Sequence, residues 1–323
     1  MAEFIDFTFT SSTGHNEIHA VKCIPDTPVR GVVQIAHGIS EHIGRYPEFM
    51  TFLAENGFAV YGNDHLGHGK SARNEAEKGI FAEQDGWNYA VDDMRKLQLI
   101  AKKDYPDVPY ILLGHSMGSF LTRTFMIRYP GKYDLALLSG TGHQSPALIA
   151  TGCILSDLMC KTKGVSAPGD VLNKVAFGTY LSRIENPKTP ADWLSTDEER
   201  VQSYIADADC GFVAKNGMYR DMMHGIRFIT DKNNIAKMDV TKPVYFFSGA
   251  EDPVGDYGKG VEKAYKAFCD AGCKDVTIRL YPGGRHEMLN EKERTKVSAD
   301  LLEWINGKRL ITTRGKKKAS LQV

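Results

Sequence analysis

The stretch VPYILLGHSMGSFLTRTF, from Val108 to Phe125, decides how the rest of the chain is read. Tyr110 to Leu113 is a short apolar run with the length and make-up of a buried strand. Gly114-His115-Ser116-Met117-Gly118 follows, a G-x-S-x-G. After it Phe120, Leu121, Thr124, Phe125 and Arg128 fall at helix spacings. Strand, sharp turn and helix make the context in which this motif is a nucleophile elbow, with Ser116 as the nucleophile. A serine on so tight a turn has strained backbone angles. Neighbours with side chains would clash with the adjoining strand and helix, hence the glycines. The Met117 N–H opens the helix and is free to face a developing oxyanion.

Outward from this stretch, strand and helix patterns alternate. Upstream, Phe4 to Thr10 and Glu17 to Ile24 alternate apolar and polar and read as two antiparallel edge strands. Val29 to Ala36 is a more continuous apolar strand. Tyr46 to Ala54 has helical spacing up to Gly57, and Phe58 to Tyr61 is the next strand. Trp87 to Lys103 is an amphipathic helix, and Leu135 to Ser139 a strand after the elbow. The expected fold class is α/β, a mostly parallel central sheet flanked by helices. The rhythm stops after Gly140. Residues 141–238 hold helical pieces (Ala147 to Met159, Val171 to Tyr180, Met218 to Thr230) and a polar stretch, Glu185 to Glu199. That is too long for a loop and reads as a helical cap inserted between core segments 1–140 and 239–306. The second segment carries strands at Lys242 to Gly249 and Val276 to Tyr281, and helices at Val261 to Cys269 and about Glu291 to Ile305. The tail, 307–323, is basic and aperiodic. It reads as solvated, with a weak contact to anionic lipid as the sharper alternative.

With 323 residues, 42% apolar and 25% charged, the chain has the composition of a globular protein. Forty basic and forty acidic side chains cancel, which gives no sign of a nucleic-acid partner. No run approaches a membrane span. The opening stretch carries acids and alternates like a strand, unlike a secretory signal. Six irregularly spaced cysteines without C-x-x-C then read as free thiols, and the expected location is cytoplasmic.

A serine at neutral pH needs a base, and the base an orienting acid, placed on loops after later strands in the order Ser, acid, His. His286 is the only histidine beyond His224 and lies in such a loop. The acid loop offers Glu251, Asp252 and Asp256. Asp252 is favoured because Pro253 fixes the chain just after it. The second oxyanion amide is expected from Ile39 in the loop after the earlier strand, beside that of Met117, with Gly38 allowing close approach. Two metal readings fit the residues less well. His37, Glu41 and His42 have the spacing H-x-x-x-E-H, unlike a zinc protease. Asp64, His65 and His68 lack the further histidine a metallohydrolase loop usually has. No metal and no cofactor are expected.

Together with Asp252 and His286, three motifs carry a resemblance: His37-Gly38-Ile39-Ser40-Glu41-His42 with Arg45-Tyr46, Asp64-His65-Leu66-Gly67-His68-Gly69-Lys70-Ser71, and Gly114-His115-Ser116-Met117-Gly118. Over about residues 30 to 305 the chain resembles the monoacylglycerol lipase and lysophospholipase group of the α/β-hydrolase superfamily. The cap segments Asp192-Trp193-Leu194-Ser195 and Ala208-Asp209-Cys210-Gly211-Phe212 resemble bacterial lysophospholipases. The resemblance implies an α/β-hydrolase fold and a cofactor-free serine hydrolase with Ser116, Asp252 and His286 as triad. It places the oxyanion hole at Ile39 and Met117, Ile39 being larger than the small residue often found there. It implies a cap that shapes an acyl pocket, hence a single-chain lipid ester as substrate, and the cap or the tail is a possible membrane-surface contact. The cap helix with Leu148, Ile149, Ile154, Leu155, Leu158 and Met159 suggests an acyl tunnel beneath it, or ordinary packing of cap on core. Rival readings are a small-ester carboxylesterase, a serine peptidase or amidase, and a non-catalytic binder. In the peptidase, Asp207/Asp209 or Glu198/Glu199 would read a free amine. The oligomeric state is left open.

Overall fold

The computed structural model describes residues 2–308; most of the basic tail lies outside the described residues. Eight strands form one sheet: β1 (Glu3–Thr10), β2 (Glu17–Ile24), β3 (Gly31–Ala36), β4 (Phe58–Asn63), β5 (Tyr110–His115), β6 (Leu135–Ser139), β7 (Val244–Gly249) and β8 (Val276–Tyr281). Their order is β1-β2-β4-β3-β5-β6-β7-β8. From β4 to β8 every pairing is parallel, whereas β2 runs antiparallel to both β1 and β4. β2 is therefore an inner strand, not the edge strand its alternation suggests. Its partner β4 covers only Ala20 to Cys23, so half of β2 keeps an edge-like pattern.

The central strands are apolar without alternation because both sheet faces are covered. Val32 and Leu112 face one core cluster, with α2 (Gly86–Asp104), α3 (Met117–Arg128) and α9 (Lys259–Asp270). Val33, Ile111 and Leu113 face the other, with α1 (Pro47–Glu55) and α10 (Arg294–Asn306). Strand order reverses around β3, which lies between β4 and β5. Such a reversal leaves a crevice at the carboxyl ends of the strands. Register fixes what meets there: Ala36 pairs with Gly114, His115 with Ser139, and Gly249 with Tyr281.

Five helices lie between β6 and β7: α4 (Pro146–Lys163), α5 (Asp170–Phe177), α6 (Glu198–Ala206), α7 (Asn216–Thr230) and α8 (Lys232–Ile235). α6 overlaps the polar stretch Glu185 to Glu199 only at Glu198 and Glu199 and lies mostly beyond it, where the sequence pattern suggests no helix. Asp197 caps it by accepting from the Glu199 and Arg200 N–H groups, and it buries only Val201, so it has little apolar face to betray it. The insertion is uneven. Met218, Ile226 and Ile229 of α7 join the same cluster as α2 and α3, whereas Leu148, Ile154 and Leu158 of α4 and Val171 and Val175 of α5 are exposed. No helix among the described residues is long and apolar enough to cross a membrane.

Candidate active site

The turn after β5 is as tight as its sequence requires. Ser116 has φ 53° and ψ −123°, positive φ for a residue with a side chain, which costs on the order of 1–3 kcal/mol. A Cβ on Gly118 would overlap the Ala36 and His37 carbonyl groups, so only glycine lets α3 approach β3 here. The surrounding structure secures the strain: Ser116 N–H donates to Ser139 O (2.9 Å) and Ser119 Oγ to Ser116 O (2.6 Å).

Asp252 follows β7 and is fully buried. It accepts from Ser248 Oγ (2.9 Å) and Val254 N–H (2.9 Å). His286 Nδ1 lies 3.0 Å from both of its carboxylate oxygens. Of the three acids in the loop, Asp252 is the one the structure brings to His286. Burial works against its charge, but the imidazole and these donors outweigh burial and hold the carboxyl below its usual range. Burial likewise disfavours a charged His286, yet Asp252, Glu287 and Glu41 raise it above 6.5. A proton on Nδ1 directed at the carboxylate leaves Nε2 as the basic atom. Ser116 and His286 line one cleft of about 340 Å³. No hydrogen bond joins them among the described residues; such contacts commonly tighten only around substrate.

Ile39 lines this cleft too, and its loop lies against Ser116: a Cβ on Gly38 would stand 3.1 Å from Ser116 Cβ. Met117 is the first residue of α3, where an N–H has no partner within the helix. His115 packs against His286 at 4.6 Å between ring centres, and burial, then the neighbouring imidazole, lowers it to about 4. On the other side Trp193 lies 5.1 Å from the His286 ring. The insertion is pinned here: Glu287 N–H donates to Leu194 O (2.7 Å) and Arg285 to Asp192 O (2.6 Å).

Sequence reasoning missed a charged group beside the cleft. The sequence presents Glu41 as part of a histidine-rich motif and gives no role to Glu287. Glu41 accepts from Gly38 N–H (2.5 Å), Tyr46 (2.9 Å) and Arg45 (2.9 Å). Arg45 also grips both Glu287 oxygens (2.6 and 2.7 Å). The close spacing of Glu41, Arg45 and Tyr46 is visible in the sequence, but nothing there signals that Glu287, more than 240 positions on, completes the group. Asp64 is similarly engaged, by Ile43 N–H, Lys70 N–H and His19. Burial lowers His68 to about 3 and holds His65 well below 6.5, so both are neutral packing groups near neutral pH. A group that sequence spacing did not suggest, His42, Asp207 and Cys210, has ligand atoms within 4.8 Å of one another and could hold a metal ion. Its His42 and Asp207 are hydrogen-bonded to each other at 2.9 Å.

The six apolar residues of α4, expected over an acyl tunnel, lie away from this cleft. None of them lines the cleft, which is bounded instead by Phe177, Trp193, Leu194, Tyr204, Ile205 and Phe212. Ile149 is buried and Leu155 and Met159 are packed on the core, while the remaining three face outward. Helical periodicity marks an apolar face but not the surface that meets it.

Residues 27–293 match the family model described as serine aminopeptidase, S33. A monoacylglycerol lipase of Mycolicibacterium smegmatis is 32% identical over 87% of this chain and 90% of its own. A thermostable carboxyl esterase of Bacillus coagulans, solved with glycerol, superposes with a TM-score of 0.87 at 31% identity, covering 95% of this chain and 99% of that one. A soluble variant of the monoglyceride lipase of Saccharomyces cerevisiae superposes at 0.73 with 20% identity, over 94% of each chain, a likeness of fold. The chain belongs to this family of the α/β-hydrolase superfamily and is a carboxylic-ester hydrolase.

Proposed function

We propose that the chain cleaves esters of single-chain lipids, monoacylglycerol or lysophospholipid, by two-step acyl transfer through Ser116, His286 and Asp252. The observation that carries this reading is the strained Ser116 in one cleft with a buried His286–Asp252 pair. Ser116 Oγ attacks the ester carbonyl as His286 Nε2 takes its proton. The amides of Met117 and Ile39 receive the oxyanion. His286 returns the proton to the leaving alcohol, then activates water to release the acid. Asp252 stays ionised and holds the imidazole. The apolar wall of Phe177, Trp193, Leu194 and Ile205 suits an acyl chain. Residues 141–238 act as the cap, and the exposed apolar side chains of α4 and α5 suit transient contact with a lipid surface.

Amide or peptide cleavage is the second reading, favoured by the description of the matching family model. Three of the four acids that would read an amine are engaged elsewhere: Asp207 by His42 (2.9 Å), Asp209 by Lys78 (3.0 Å) and Glu198 by Lys188 (2.6 Å). Initial rates on monoacylglycerol, lysophospholipid, short and long aryl esters and an aminoacyl amide, each against Ser116→Ala, separate the readings. The lipid reading predicts preference for the single-chain lipids. Activity confined to short esters or to the amide would overturn it.

A further inference from the structure

Acyl transfer as derived above needs no ion pair beyond that of Asp252 with His286, yet a second one lies buried beside it. Glu41 is 2% exposed and Glu287 5%. The Glu41 carboxylate holds Gly38 N–H, and Gly38 immediately precedes Ile39. Arg45 bonds Glu41 with one arm and takes Glu287 in a two-pronged fork, and Glu287 immediately follows His286. The fork is braced by Asn290, which donates to Glu287 (3.1 Å), and by the Tyr204 ring, 4.8 Å from the guanidinium. Tyr204 in turn donates to Ser40 O (3.1 Å), so the same residue braces the oxyanion loop.

We infer that Glu41, Arg45 and Glu287 are positioning residues: one buried ion-pair chain sets the spacing between the oxyanion-donor loop and the general-base loop. This rests on the Ser116 reading. Stability alone is a weak reason for such a chain, since well-packed apolar residues of similar volume often do as well. What they cannot supply is direction. A carboxylate–guanidinium fork fixes distance and angle together. The two loops leave different strands, β3 and β8, which are not neighbours in the sheet. Acyl transfer requires both to meet one carbonyl, and errors near 1 Å cost about 100-fold. The chain also sets charge. His286 is faced by Asp252 from the β7 loop, Glu287 from its own loop, Glu41 from the β3 loop and His115 from β5, so both outer carboxylates favour its protonated form.

Glu41→Gln keeps an acceptor for Gly38 N–H but turns an N–H₂ group towards Arg45, and Glu287→Gln weakens the far end. Each is expected to lower kcat about 10–100-fold on an ester with KM changed little. Each is expected to move the acid limb of kcat/KM to lower pH, because a negative charge facing His286 is removed. The double variant is expected to lose little more than the worse single one, since both cut the same link. A lowered Tm with unchanged kcat and an unmoved acid limb would overturn the inference, and so would strictly multiplicative losses. Should either Gln variant fail to fold, Arg45→Lys carries the test: it keeps the charge but breaks the fork, and is expected to lose kcat. Normal kcat in that variant would equally overturn it. Ser116→Ala is assayed alongside; activity surviving there removes the nucleophile itself, an outcome distinct from failure of the positioning chain.

Discussion

The two halves of the cleft are built differently. On the core side, Asp252 is fully buried and each of its oxygens has a donor besides His286, Ser116 is locked between Ser139 and Ser119, and Gly118 packs where no side chain fits. On the insertion side, α5 contributes Phe177 to the wall but buries only Leu172, and Val175 is largely exposed. The chemistry is held by register, sterics and hydrogen bonds with one solution. The substrate wall is held by generic apolar contact, which tolerates exchange of side chains of similar volume. The insertion is attached to the core at two places: the 192–196 segment is bound to the histidine loop through Arg285, Glu287 and Glu291, and residues 204–212 are bound to the loop after β3 through Ser40 and His42. Substitutions in the two halves should therefore differ in kind.

The largest expected effect is that of Ser116→Ala, a loss of kcat on the order of 10⁶ with the melting temperature kept or raised, since the strained turn loses no packing; ester turnover and thermal melting check both parts. Asp252→Asn should cost about 10⁴ in kcat by favouring the wrong imidazole tautomer. A loss below tenfold would break the claim that the core side allows one arrangement. Gly118→Ala should lower stability by about 1–3 kcal/mol or more, read by denaturant unfolding, because its Cβ meets carbonyl oxygens that cannot yield. The pH profile sharpens the comparison further. The proposed mechanism needs a neutral His286 as base, and this group is raised above 6.5, so kcat/KM should fall as pH drops through a value above 6.5. The smallest effect belongs to the insertion: Ile154→Ser and Leu158→Ser should leave stability within about 0.5 kcal/mol. They should leave the short-ester rate unchanged and slow hydrolysis of aggregated long-chain lipid. A large loss on the short ester would erase the contrast between the halves.

Much of the core side could be read from residues alone, because its constraints are local. The glycines around Ser116, the apolar run before it and the helix spacing after it occupy one continuous stretch. His286 and the acid loop follow strand ends, where chain order and loop position point to them, and Pro253 favours Asp252 over Glu251 and Asp256. The missing pieces were those fixed by pairing across the chain. β2 is inner because β4 joins it, although 33 residues separate the end of one from the start of the other. The Glu41–Arg45–Glu287 chain closes over more than 240 positions. The outward face of α4 depends on α7 covering only its opposite side, and apolar periodicity is blind to that choice.

The most direct test is covalent labelling with a fluorophosphonate, mapped by peptide mass spectrometry while esterase activity is followed. The account predicts one adduct, on Ser116, forming in step with loss of activity and absent from Ser116→Ala. Activity that persists in a fully labelled protein, or an adduct on another residue that tracks the loss, would contradict it.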